Sequence, residues 1–146
     1  MAAGGSWTTT FTLLNKGTAT AIARINQYAP DGSPLMLPVN LPQQPSITGA
    51  LLESSIDQSI EPNASFVMDT ADDVSISQVK GSAQLSATGD VGGFAILRLH
   101  SGAQEVAVPL ETRNAASYLL AFDNTDGVEL GVALQNVSGT AAAIPV

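Results

Sequence analysis

Trp7-Thr8-Thr9-Thr10-Phe11-Thr12-Leu13-Leu14-Asn15-Lys16-Gly17 decides the fold. Trp7, Thr9, Phe11 and Leu13 alternate with Thr8, Thr10 and Thr12. That period of two puts apolar side chains on one sheet face and β-favouring threonines on the other. Asn15 and Gly17 then tolerate the positive φ of a tight turn. The chain therefore opens with a half-buried strand and a hairpin turn.

The same pattern continues outward from this stretch. Residues 18–28 form a run that ends at Ala29-Pro30-Asp31-Gly32-Ser33, a turn signal. Residues 35–39 carry Pro38, which predicts an edge strand. Pro42 and Pro45 mark residues 40–49 as a surface connection. In residues 51–60, Leu52, Ile56 and Ile60 recur every four positions, which allows a short helix. Glu61-Pro62-Asn63-Ala64 breaks the chain before a strand at 65–68, and Ala71-Asp72-Asp73 is a turn. Further strands are predicted at 75–79, 82–86, 94–99, 105–110 and 118–122, and a final hairpin at 128–135 and 140–146. Short strands with turn signals every 8–12 residues predict an all-β, antiparallel β-sandwich of immunoglobulin-like type, with at most one short helix.

The end of the chain echoes its beginning. Phe11-Thr12-Leu13-Leu14-Asn15-Lys16-Gly17-Thr18-Ala19 is matched by Val132-Ala133-Leu134-Gln135-Asn136-Val137-Ser138-Gly139-Thr140-Ala141. Each is an alternating run, an Asn-led turn and a small-residue run, the mark of a tandem repeat. The expected organisation is a flexible leader over residues 1–6 and a single sandwich domain over 7–146. Within it, 128–146 reads as the opening hairpin of a next repeat. That hairpin is expected to pack within its own chain and leave a monomer, with a strand-swapped dimer as the alternative.

Composition narrows the function classes. The 146 residues are 45% hydrophobic and only 12% charged, about half the usual charge. Five basic residues against thirteen acidic ones give a net charge of −8. Such a surface repels phosphate backbones and anionic lipid, so neither nucleic acid nor a membrane surface is an expected partner. The absence of cysteine excludes disulfides, thiolate metal sites and thiol catalysis. Met1-Ala2-Ala3-Gly4-Gly5-Ser6 has neither the basic nor the apolar region of a secretory signal. No apolar run approaches the roughly 18 residues of a membrane span.

Three segments carry a family resemblance. Gly92-Gly93-Phe94-Ala95-Ile96-Leu97-Arg98, then Val108-Pro109-Leu110-Glu111-Thr112-Arg113, then Leu120-Ala121-Phe122-Asp123-Asn124-Thr125 are similar to modules repeated in large exported proteins of acidobacteria and similar soil bacteria. The similarity spans most of residues 7–146 and is sharpest over 92–136; residues 51–60 match least. It implies an immunoglobulin-like module of a secreted or cell-surface bacterial protein, with neighbouring modules of the same parent as partners. It implies location and modularity rather than chemistry.

Candidate chemistry is sparse. His100 is the single histidine, and Ser101 beside it would point to the opposite face of a strand. No Gly-x-Ser-x-Gly elbow is present. Asp123-Asn124-Thr125-Asp126-Gly127-Val128-Glu129 gathers oxygen ligands, but its spacing does not fit an EF-hand, and a tight Asp-Gly turn explains it. Asp69-Thr70-Ala71-Asp72-Asp73 reads the same way. No catalytic residue, metal site or cofactor is therefore expected. Exposed aromatic faces would serve polysaccharide binding, with Trp7, Tyr28 and Tyr118 as candidates. Trp7 shares parity with Phe11 and Leu13, which also suits a core position. The expected role is a non-catalytic extracellular spacer or adhesive module. A carbohydrate-binding module is the first alternative. The second is a small glycosidase-like hydrolase using loop carboxylates such as Asp72, Asp73, Asp123 and Glu129.

Overall fold

The computed structural model describes residues 1–72, 75, 77–102, 104–111, 119, 121, 123–127 and 131–143. The chain divides into two units, Met1–Glu111 and Thr112–Val146. Among the described residues, eleven strands lie in the first: β1 (Ala2–Ala3), β2 (Trp7–Asn15), β3 (Ala21–Tyr28), β4 (Leu37–Asn40), β5 (Leu51–Glu53), β6 (Ser55–Ile60), β7 (Ser65–Thr70), β8 (Val79–Lys80), β9 (Ser82–Ala87), β10 (Val91–Leu99) and β11 (Gln104–Pro109). They form a six-stranded sheet in the order β11-β10-β2-β7-β4-β5, a three-stranded sheet β6-β3-β9, and the small pair β1-β8. Every pairing is antiparallel.

The alternation read from the sequence is the reason the sheets stack. Phe11 and Leu13 on β2, Phe66 and Met68 on β7, and Leu37 and Val39 on β4 are buried in one cluster with Ala21, Ala23 and Ile25 on β3 and Ile56 and Ile60 on β6. The bulky side chains come mostly from the larger sheet and the small alanines from the smaller one, so the layers interdigitate. Burying a side chain such as Met68 contributes about 1.5–3 kcal/mol. Three strands cannot cover six, however. Val106 and Val108 on β11 pair with Leu97 and Ala95 on the core-facing side of β10, yet they are 52% and 42% exposed.

Several expectations change. Residues 1–6 are not a leader but part of the fold. Ala2 and Ala3 are buried and pair with Lys80 and Val79. The buried Thr9 hydroxyl accepts from the Ala2 N–H (3.0 Å) and donates to the Ala2 carbonyl (2.7 Å). A turn then returns the chain into β2: the Trp7 N–H donates to the Gly4 carbonyl at 3.0 Å, with Gly5 at φ 57° and Ser6 at φ 70°. Two successive positive φ values are the type I′ pattern.

Residues 51–60 contain no helix but two strands that serve different sheets, joined at Ser54. The bend resets the inward parity, which removes a period of two from the sequence. Nor is the Pro38 strand an edge, since β4 lies between β7 and β5. Extending the pairing of Val39 with Thr70 places Pro38 opposite Ala71, one residue beyond β7. The missing N–H is lost only at the end of the ladder.

In the second unit, residues 131–143 carry no strand pairing among the described residues. Val132 and Leu134 are each 63% exposed. The expected strand at 118–122 falls largely outside the described residues, as do residues 128–130 and 144–146 of the final hairpin.

Candidate functional site

On the outer face of the six-stranded sheet, strand register gathers polar groups from β2, β4, β7 and β10. On β2 the inward set is Thr9, Phe11, Leu13 and Asn15, so Thr8, Thr10 and Thr12 point outward. Strand register then brings distant residues beside them. Arg98 faces Thr8, Ile96 faces Thr10 and Phe94 faces Thr12 across β10. Asp69 on β7 faces Thr10, and Asn40 on β4 faces Asp69. Thr8, Thr10, Asn40, Asp69, Thr70, Asp72, Arg98 and His100 line a shallow depression of about 240 Å³. A second depression, of about 270 Å³, adjoins it at Arg98, Leu99, His100, Gln104 and Glu105.

Two of these side chains are held in place. The His100 Nε2 and the Thr8 hydroxyl are hydrogen-bonded at 3.0 Å, and the His100 N–H donates to the Ser6 carbonyl at 2.9 Å. The Arg98 Nε donates to Glu105 at 3.0 Å across the β10–β11 ladder. Asp69, Asp72, Asn40 and Thr10 show no side-chain hydrogen bond among the described residues. They leave acceptors and donors free within one depression.

The aromatic candidates lie elsewhere. Trp7 begins β2 opposite Leu99, half-buried on the core-facing side. Tyr28 ends β3, out of phase with the buried Ile25 and Gln27, and so belongs to the outer side of the smaller sheet. Trp7 and Tyr28 share no face. Tyr118 lies outside the described residues, as do Asp73 and Glu129. The exposed aromatic on the polar face is Phe94, 43% exposed, and sequence reasoning missed it. Its parity with Ile96 and Arg98 was visible, but the register that sets it beside Thr12 was not.

The carboxylates of Asp31, Asp57 and Asp123 are all displaced the same way. The Asp57 carboxyl is held below its ordinary range by hydrogen bonds from Arg24. Asp31 and Asp123 are lowered by the hydroxyl and N–H of Ser33 and Thr125 respectively. Each of these two is the anchor of a local Asx turn. A glycosidase acid needs the opposite displacement. Among the described residues, no three His, Asp or Glu side chains are grouped closely enough to hold a metal ion. None of their helices is long and apolar enough to cross a membrane. Compared with protein-family models, curated proteins and solved structures, the chain matches none of them.

Proposed function

We propose that the chain is a non-catalytic, immunoglobulin-like structural module of a tandem array, exported by a bacterium and acting at or beyond its surface as a spacer or adhesive element. Its partners in this reading are neighbouring modules of the same kind. One observation carries it: the turn geometry of the first unit recurs in the second at a constant offset.

The Asn15 side chain donates to the carbonyl four residues on, Ala19 (2.8 Å), and accepts from the Gly17 N–H two residues on (2.9 Å). Asn136 does the same with Thr140 (2.7 Å) and Ser138 (3.0 Å). The paired positive-φ residues Gly5 and Ser6 are likewise matched by Asp126 (φ 52°) and Gly127 (φ 82°). The offsets 126−5, 127−6 and 136−15 all equal 121 residues. Two turn types at one spacing, with alternating apolar residues between them, support a repeat better than the short sequence echo does alone. The uncharged Val132 and Leu134 then stand where Phe11 and Leu13 stand in β2.

The test supplies the missing partners. In a chimera, Gln135 is followed directly by a second copy of residues 15–111, so that residues 128–135 stand in for 7–14 and the copied Asn15 completes the equivalent of β2. The reading requires a second cooperative unfolding unit and slowed amide exchange at Ala133 and Leu134. Exchange at these positions as fast as in the original chain refutes it.

A further inference from the structure

The geometry points to a binding site for one ring of an uncharged saccharide in the depression on the outer face of the six-stranded sheet, formed by Asn40, Asp69, Asp72 and Thr10 with Arg98 and His100 at its margin. The inference is independent of the spacer reading, because a spacer with or without this site is still a spacer.

Chemistry selects the ligand. The lining presents groups that only accept, the Asp69 and Asp72 carboxylates, beside groups that only donate, such as the Arg98 guanidinium. The Asn40 amide and the Thr10 hydroxyl do both. A bound anion would face two carboxylates and a chain of net charge −8, and a metal ion would find no group of three acidic or imidazole ligands among the described residues. A hydroxyl donates to a carboxylate and accepts from a guanidinium at the same time, so a polyol satisfies both sets without a charge penalty.

Size and surroundings agree. About 240 Å³ lies below the roughly 300 Å³ at which drug-sized clefts begin, which suits one ring. Ile96 and Phe94 continue outward from Arg98 on the same side of β10. With about 3.4 Å per residue they extend some 13 Å from it, room for a further ring to lay its C–H face on the phenyl group. Thr8 fixes the His100 imidazole and Glu105 fixes Arg98, so part of the ordering cost of binding is met before the ligand arrives.

The test is affinity electrophoresis of the full chain in native gels containing hydroxyethylcellulose, galactomannan or laminarin, with polygalacturonate and chitosan as charged controls. At least one neutral polymer should retard the chain. Asp69→Ala and Asn40→Ala should each weaken that retardation about tenfold or more, the loss of one or two hydrogen bonds to a charged or amide group. Phe94→Ala should weaken it less, and Tyr28→Ala should leave it unchanged. The site is refuted if no neutral polymer retards the chain, if retardation survives both Asp69→Ala and Asn40→Ala, or if chitosan alone is effective. Should a variant melt early, amide shifts of the unmodified chain with methyl glucoside decide instead. Changes confined to Thr10, Asn40, Asp69 and Arg98 support the site, and their absence there overturns it. Neither experiment bears on the chimera, so the two readings fail separately.

Discussion

Replacing Asn15 by alanine should cost the first unit about 2–4 kcal/mol. Asn15 is fully buried and stands at the joint between two turns. Its Nδ2 donates to Ala19 and, at 2.9 Å, to the carbonyl of Ile60 at the end of β6. Its own N–H donates to Ala64 and its carbonyl accepts from Asn63; both bonds survive the substitution. Alanine thus takes one of two donors from the Ile60 carbonyl, which also pairs with Ala21 in the β3–β6 ladder, and leaves a void at a fully buried position, together about 1–3 kcal/mol. The Gly17 N–H and Ala19 carbonyl lie nearer solvent and regain water, so their bonds add about 1 kcal/mol together. The same substitution at Asn136, whose surroundings are exposed, should change stability by no more than about 0.5 kcal/mol. Urea unfolding of the three chains measures both. An Asn15→Ala midpoint within error of the original would refute the argument, as would an equal loss from Asn136→Ala.

Other consequences follow from the packing and the ion pairs. Met68→Ala, at a fully buried site in β7, should lower stability by about 2–5 kcal/mol in the same assay. Gly93→Ala would drive its Cβ into the Thr12 carbonyl oxygen, so β2 and β10 must part, whereas a Cβ at Gly131 meets nothing within 4 Å. Thermal melting should show a clear loss for the first and almost none for the second. Lowered carboxylates at Asp31 and Asp57 stabilise the fold above the unfolded carboxylate pKa of about 3.9, and this stabilisation fades as the pH falls through their lower folded values. Acid titration of the urea midpoint should show that decline, and Asp57→Asn should flatten part of it.

How much of this was legible depended on whether the information was local. The alternation of Trp7, Phe11 and Leu13 against the threonines located β2 and its inward face, because parity is a property of neighbours. The Asn15 turn was legible for the same reason. Residues 51–60 were not, since the corner at Ser54 turns Leu52 to solvent while Ile56 and Ile60 enter the core. A fourfold apolar spacing was left behind without a helix. Residues 1–6 misled because glycine and serine suggest freedom, whereas here they make the turn that lets Ala2 reach the Thr9 hydroxyl. The candidate site is the least local feature of all. Thr8 and His100 are 92 positions apart, and Asn40, Asp69, Thr10 and Ile96 meet only through the registers of three ladders.

Those ladders bear on how quickly the chain can fold. Within the two main sheets, only β4–β5 and β10–β11 join neighbours in sequence that are also neighbours in a sheet. The passages from β2 to β3, β3 to β4, β5 to β6, β6 to β7 and β9 to β10 each carry the chain from one sheet to the other. Few contacts are therefore available to a short segment acting alone. The long strand β2 pairs with β10, and that pairing closes a loop of about 75 residues between Asn15 and Val91. Such non-local wiring places folding in the millisecond-to-second range typical of sandwiches rather than the microseconds of helical bundles. During that interval the apolar side of β11 is as open to other chains as it is in the finished fold, so dilute conditions should favour refolding yield.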